Sequence, residues 1–260
     1  GKPLPARGFF AAMVYFFPTE GENAKMQSFT SALGEAVGLI LAGDADLIEI
    51  IGLSLRVTLS AVVVSCVIGL PLGACVGAFS FPGRTAAAVV LNALMGLPPV
   101  VVGLVVYLAL SAAGPLGGLR LLYTPTAMII AQTILVTPIV AALARQVVED
   151  LDREYREQFA SLGVGPVARI AALLWDGRYA LMTVALAGFG RAVAEVGAVI
   201  IVGGNSNHVT RVMTTTIALE TAKGNLELAL ALGVVLLAIA LAVNIAVMGL
   251  RASAARSAYA

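Results

Sequence analysis

The sequence predicts an all-α, polytopic membrane protein with about five transmembrane helices, and three observations carry that prediction. Hydrophobic residues make up 60% of the chain and charged residues 12%, whereas a soluble domain with a polar skin carries about 25% charged residues. Five apolar runs, 47–79, 86–110, 121–144, 179–202 and 226–250, are long enough to cross a bilayer, which takes about 20 helical residues. None alternates with a period of two, so these runs are helices, whose backbone groups are satisfied internally in lipid, and not strands of a membrane barrel.

Residues 1–25 mix Phe9, Phe10, Tyr15, Phe16 and Phe17 with Pro18 and Gly21. Their apolar run is too short to span, and they read as a start-site extension, a tag remnant or a poorly ordered tail. In 26–43, Phe29, Leu33, Val37 and Ile40 recur at helical spacing, which predicts an amphipathic helix lying along the membrane surface. The transmembrane domain is 44–251, and 252–260 is a short tail on the inner side. A net charge of +1 gives no reason to expect nucleic acid as a partner.

Proline punctuates the spans at Pro71, Pro98, Pro99, Pro125 and Pro138. Each removes a backbone donor, so a bend is expected, with packing as the ordinary reason. The small, double-proline cluster Gly96, Leu97, Pro98, Pro99 is the better candidate for a local opening. Cys66 and Cys75 lie nine apart in one run, on different helix faces, and read as packing residues. With the single histidine His208 and no cysteine-histidine cluster, no metal or haem site is expected.

One long charged segment interrupts the apolar chain. Within 151–176, Leu151, Tyr155, Phe159 and Leu162 fall on one face of a first helix. Gly163, Gly165 and Pro166 then break it, and Val167, Ile170, Ala171 and Leu174 share a face of a second. A helix-turn-helix bracket results, sized to enter a groove on another protein; an ordinary solvated loop is the alternative. If the bracket is cytoplasmic, Arg84, Arg145, Arg153, Arg156, Arg169, Arg178, Arg251 and Arg256 lie inside against Arg120, Arg211 and Lys223 outside. That obeys the positive-inside rule, with the N-terminus outside and the C-terminus inside.

The fourth run carries Arg191 and Glu195, spaced for an i,i+4 pair. Charges at that depth are kept when paired or facing water. The pair reads first as a buried salt bridge that fixes packing, helped by Gly188, Gly190 and Gly197, which admit close neighbours; the second reading places it beside a conduction path. Beyond it, Gly203, Gly204, Asn205 and Asn207 form a turn, and 209–222 forms a short helix in which Thr214, Thr215, Thr216 and Arg211 either cap and pack or handle an oxyanion.

The bracket run Glu157, Gln158, Phe159, Ala160, Ser161, Leu162, Gly163, with Pro166 and Leu173 at their spacings, resembles the ATPase-docking loop of ABC importer permeases; Gln158, Phe159 and Asp176 depart from that pattern. The block 188–232 is similar to the tungstate permease branch, relatives of the molybdate and sulfate permeases. The resemblance implies the ABC importer permease fold with a cytoplasmic coupling loop at Glu157, Ala160, Leu162, Gly163, Gly165, Pro166 and Leu173. It also implies a homodimer enclosing a pore, a docked pair of ATPase subunits and an extracytoplasmic binding protein. Gly96, Pro98, Pro99, Arg191, Glu195, Asn205, Thr214 and Thr215 are the pore or gate candidates. No phosphate-binding loop occurs, so ATP hydrolysis falls to a separate subunit, and no cofactor is expected. An ATP-independent secondary transporter is one rival reading; a membrane-embedded enzyme is the other, and it would need a nucleophile-base or metal constellation that the spans do not provide.

Overall fold

The computed structural model describes residues 45–258 and three isolated positions before them, Ser31, Gly34 and Gly38. The expectations for 1–25, and for the surface helix 26–43 apart from those three helical positions, lie outside the described residues. Among the described residues the regular structure is helical: α1 (Ala45–Ala78), α2 (Arg84–Leu94), α3 (Pro99–Leu110), α4 (Pro125–Ser161), α5 (Pro166–Asp176), α6 (Arg178–Val193), α7 (Gly197–Gly203), α8 (Met213–Ala222) and α9 (Leu226–Ala258), with a short 3₁₀ turn at Gly117–Leu119.

Three helices are each long and apolar enough to cross a membrane, namely α1, α4 and, within α9, Leu228–Gly249. The second span is α2 and α3, bent by 96° at a break over 95–98 that contains the expected Gly96, Leu97, Pro98 cluster. Pro98 is extended and Pro99 opens α3, where a missing N–H costs nothing because the first-turn donors have no helical partner. The expected fourth span is likewise divided, into α6 and α7, with residues 194–196 outside both.

One proline behaves differently from the sequence expectation. Pro125 is not a mid-span kink: it is the first residue of α4, with Thr124 as the cap, whose Oγ1 accepts from Ala127 N at 3.4 Å. Pro71 and Pro138 lie inside continuous helices. The first arm of the bracket is also not a separate helix, because α4 runs unbroken from Pro125 through Ser161. The third span and the first arm of the bracket are therefore one rod of 37 residues, about 55 Å long at 1.5 Å per residue.

The α1–α4 pair is the spine of the fold. Gly69, Gly73 and Gly77, each four apart, lie where α4 crosses: a Cβ on Gly73 would stand 2.3 Å from the Ala141 carbonyl oxygen, and one on Gly69 3.0 Å from the Thr137 oxygen. Small residues at this spacing let two backbones touch, which is how membrane helices gain dispersion energy without a hydrophobic drive. The GxxxGxxxG signal was in the sequence and escaped the reading of it. Of the glycines singled out there, Gly188 meets Val136 and Val140 and Gly197 meets Val100, each at 3.1 Å, but Gly190 faces open space.

Candidate functional site: the bracket and the junction of two broken helices

At the bracket, Gly163 takes φ 61°, a left-handed conformation that favours glycine at a helix C-terminus. Its N–H bonds the Ala160 carbonyl, and Val164 N–H reaches the Phe159 carbonyl at 3.0 Å. Pro166 then starts α5. Leu151, Tyr155 and Phe159 pack on Ala74, Ala78, Val148 and Leu173. Leu162 was expected on that face but is 77% exposed, as α4 ends there, and Val167 is 81% exposed. Glu157, Ala160, Gly163, Gly165 and Pro166 are exposed with them. Leu173 is completely buried, so it anchors the bracket and offers no surface to a partner.

The bracket is held by a residue the sequence reading passed over. Asp152, 1% exposed, receives Arg169 from α5 through Nε at 2.8 Å and through Nη2, and Arg156 at 3.1 Å. A buried carboxylate demands such partners; an isolated aspartate among arginines gives no sequence hint of which arginine it meets. A second carboxylate, Glu149, gathers Arg84 at 3.3 Å, Arg145 at 2.6 Å and Arg153 at 3.1 Å. Arg84 also donates to the Val76 and Gly77 carbonyls, both at 2.9 Å, and so covers the C-terminal end of α1.

The pore candidates converge where the two divided spans meet. Arg191 Nη1 donates to Glu195 Oε2 at 2.6 Å, confirming the i,i+4 pair, but the helix has ended between them. The other carboxylate oxygen accepts from Ala198 N at 3.0 Å, satisfying an orphan donor at the start of α7. Glu195 is 3% exposed, and its carbonyl accepts from Thr214 Oγ1 at 3.0 Å. Gly197 brings Pro99 and Val100 beside it, and a side chain at Gly103 would begin 2.8 Å from the Ala198 Cα. The second half of one broken helix thus lies directly on the second half of the other. Pro99, Arg191, Glu195 and Thr214 are gathered here, while Gly96 and Pro98 are exposed at the break.

Asn205 and Thr215 form a neighbouring unit, with Thr215 Oγ1 donating to Asn205 Oδ1 at 2.8 Å; Asn205 has φ 50° and follows Gly204 at φ 68°. Thr216 donates to the Val212 carbonyl at 2.8 Å. The threonine hydroxyl protons are thus engaged within the protein. A small cavity of about 20 Å³ lies beside Glu195, its mainly apolar lining interrupted by Ser54, Thr58, Gln132 and Thr214. Gln132 Nε2 donates to the Ala192 carbonyl at 3.2 Å while its buried Oε1 has no protein partner. The volume suits about one water. Gln132 and Ser54 escaped the sequence reading, since single polar residues in apolar runs do not reveal their faces.

On the opposite side of the molecule from the bracket, His208 Nδ1 pairs with Glu49 at 2.9 Å. Hydrogen bonding to that carboxylate raises the imidazole pKa above its ordinary value, with Asp46 adding to the effect and Arg211 opposing it. Arg56, inside the first apolar run, was also missed; it is exposed, and the uninterrupted apolar stretch of α1 begins only after it.

Comparison with known proteins agrees with this architecture. Residues 69–256 match the family described as binding-protein-dependent transport system inner membrane component. The chain is 43% identical over 212 residues, 78% of its length and 90% of the relative's, to a Haloferax volcanii protein named "Probable anion ABC transporter permease protein". It is 38% identical over 226 residues, 87% of its length and 99% of the relative's, to the tungstate uptake system permease protein TupB of Peptoclostridium acidaminophilum. A sulfate transport system permease protein, CysW of Escherichia coli, is 28% identical over 200 residues, 74% of this chain and 65% of that one. The match to the family model over most of the chain, together with a multi-pass helical fold, establishes that this protein belongs to the inner membrane components of binding-protein-dependent transport systems, the permeases of ABC transporters.

Proposed function

We propose that the protein is the pore-forming subunit of an ATP-driven importer for a tetrahedral oxyanion, tungstate first, with molybdate or sulfate as the second reading. The relatives named for tungstate uptake support the anion, and the observation that carries the coupling is the bracket. It offers an exposed apolar tip, Leu162 and Val167, on a rigid base closed by Asp152 and Arg169. A separate ATPase dimer grips that tip on the cytoplasmic side; an extracytoplasmic binding protein delivers the anion; two copies of this chain enclose the path. The N-terminus is outside and the C-terminus is cytoplasmic.

In this mechanism ATP binding draws the two brackets together. Because α4 is one rod from tip to bilayer, displacement of Gly163 reaches the α1–α4 spine directly. Two states populate according to which the nucleotide favours. The junction of Pro99, Glu195 and Thr214 is the gate: broken helices move at their breaks, where no continuous ladder of hydrogen bonds resists.

The test is ATP-dependent uptake of tungstate, molybdate and sulfate into proteoliposomes carrying the permease, its ATPase and its binding protein. Tungstate-driven uptake is expected, and it should be lost in Gly163→Val while the variant remains in the membrane. Uptake without ATP, or a Gly163→Val protein that transports and stimulates its ATPase normally, overturns the docking assignment. ATP-dependent uptake of sulfate but not tungstate overturns the substrate alone.

A further inference from the structure

At the foot of α6, where the bracket joins the span, Arg178 lies between two aromatic rings. Its guanidinium carbon is 5.0 Å from the Trp175 ring centroid and 4.5 Å from that of Tyr179. Nη1 donates to the Trp175 carbonyl at 2.7 Å and Nη2 to the Tyr179 hydroxyl at 3.4 Å. A guanidinium has five N–H donors, so others remain. Among the described residues no carboxylate is within ion-pair distance of it; the other arginines of the bracket, Arg153, Arg156 and Arg169, are all paired to Asp150, Glu149 or Asp152. Trp175 is 72% exposed. Tryptophan, tyrosine and arginine together at a span's end are the residues that settle at the headgroup level of a bilayer.

One turn above Arg178 on the same stripe of α6 begins a wholly apolar groove of about 250 Å³. Met182, Leu186 and Phe189 form one wall, Leu59 and Val62 of α1 another, and Val243 and Val247 of α9 a third. Residues 178, 182, 186 and 189 follow one another at three- and four-residue spacing, so the cation and the groove share a face. The groove presents no polar atom, while the residue at its end presents a cation with free donors in the fork geometry that fits phosphate oxygens.

We propose that this face binds one anionic phospholipid from the leaflet on the bracket side, its phosphate on Arg178 between Trp175 and Tyr179 and one acyl chain in the groove. Bound there, the lipid bridges α1, α6 and α9 at the base of the bracket. The inference requires only that the chain is membrane-embedded, and it stands or falls separately from the substrate and the ATPase.

Trp175 is the sole tryptophan of the chain, so intrinsic fluorescence reads this position directly. The full chain is reconstituted in phosphatidylcholine nanodiscs in which a small fraction of the lipid is acyl-brominated phosphatidylglycerol or, in parallel, brominated phosphatidylcholine. Quenching at equal mole fraction is expected to show about fivefold enrichment of the anionic lipid, the order expected for one arginine near a charged headgroup. The enrichment should vanish in Arg178→Gln and persist in Arg178→Lys. Ala185→Phe, which fills the groove, should reduce the phosphatidylglycerol retained on the protein in native mass spectrometry. Equal quenching by both lipids, an enrichment that survives Arg178→Gln, or no quenching at all overturns the headgroup site. Unchanged retention in Ala185→Phe overturns the groove.

Discussion

Asp152 shows how much of this protein turns on single side chains. It is buried at the inside corner of the bracket, and the two arginines it holds come from both arms. Removing one partner of a buried pair costs about 3–5 kcal/mol; Arg169 is 22% and Arg156 60% exposed, so solvent reduces this toward the lower end for Asp152→Ala. The expected result is a bracket that opens while the spans stay folded, seen as faster tryptic cleavage after Arg169 with little change in membrane insertion. Glu195 is a second such point. Glu195→Gln keeps a hydrogen-bond acceptor for Ala198 but leaves the partly buried Arg191 without its counter-charge, and transport should fall more than protein yield. His208 works at the opposite surface. Its folded pKa is raised by Glu49, so the tie between the 204–212 loop and α1 is present in full below about 6.5, the ordinary histidine value, and is lost as pH rises through the raised value. Amide protection in that loop, relative to the intrinsic exchange rate at each pH, should therefore fall across that window, and His208→Gln should flatten the dependence.

At the scale of elements, the decisive contact is α1 on α4. Gly73 leaves no room for even a methyl group, because its virtual Cβ meets the Ala141 backbone at 2.3 Å. Backbone atoms do not yield as side-chain ends do, so Gly73→Val should separate the helices and cost at least about 1–3 kcal/mol, read as a lower melting temperature in detergent. The same substitution at Gly190, which meets nothing within 4 Å, should be nearly silent. The broken helices follow a different logic. Pro98 and Pro99 make a break in the second span inevitable, and the apolar run nonetheless looks continuous, because hydropathy does not register a missing donor. The break at 194–196 is subtler: no proline marks it, and Glu195 caps it by turning one carboxylate oxygen onto the Ala198 N–H at the start of α7.

For the whole molecule, the topology can be tested directly. Ser161→Cys is expected to label only from the cytoplasmic side and Asn207→Cys only from outside, in sealed vesicles of known orientation; the reverse pattern would invert the protein and remove the ATPase from reach of the bracket. Much of the architecture was legible beforehand. Composition and the length of the runs specify a helical membrane protein, the Gly163 to Pro166 break specifies the bracket, and the Arg191 to Glu195 spacing specifies an ion pair.

What the sequence determined by itself was the set of pieces: where the chain enters lipid, where it turns, and which residues dislike being alone there. These are local or one-dimensional matters, governed by transfer free energies and backbone chemistry within a few residues. Only the tertiary structure decided which pieces meet. It turned Leu173 inward and Leu162 outward, gave Asp152 its arginines from 17 and 4 residues away, and laid the break of one helix on the break of another. The reason is physical: burial on a helix face and the partner of a buried charge depend on what packs against it, and that neighbour comes from a distant part of the chain.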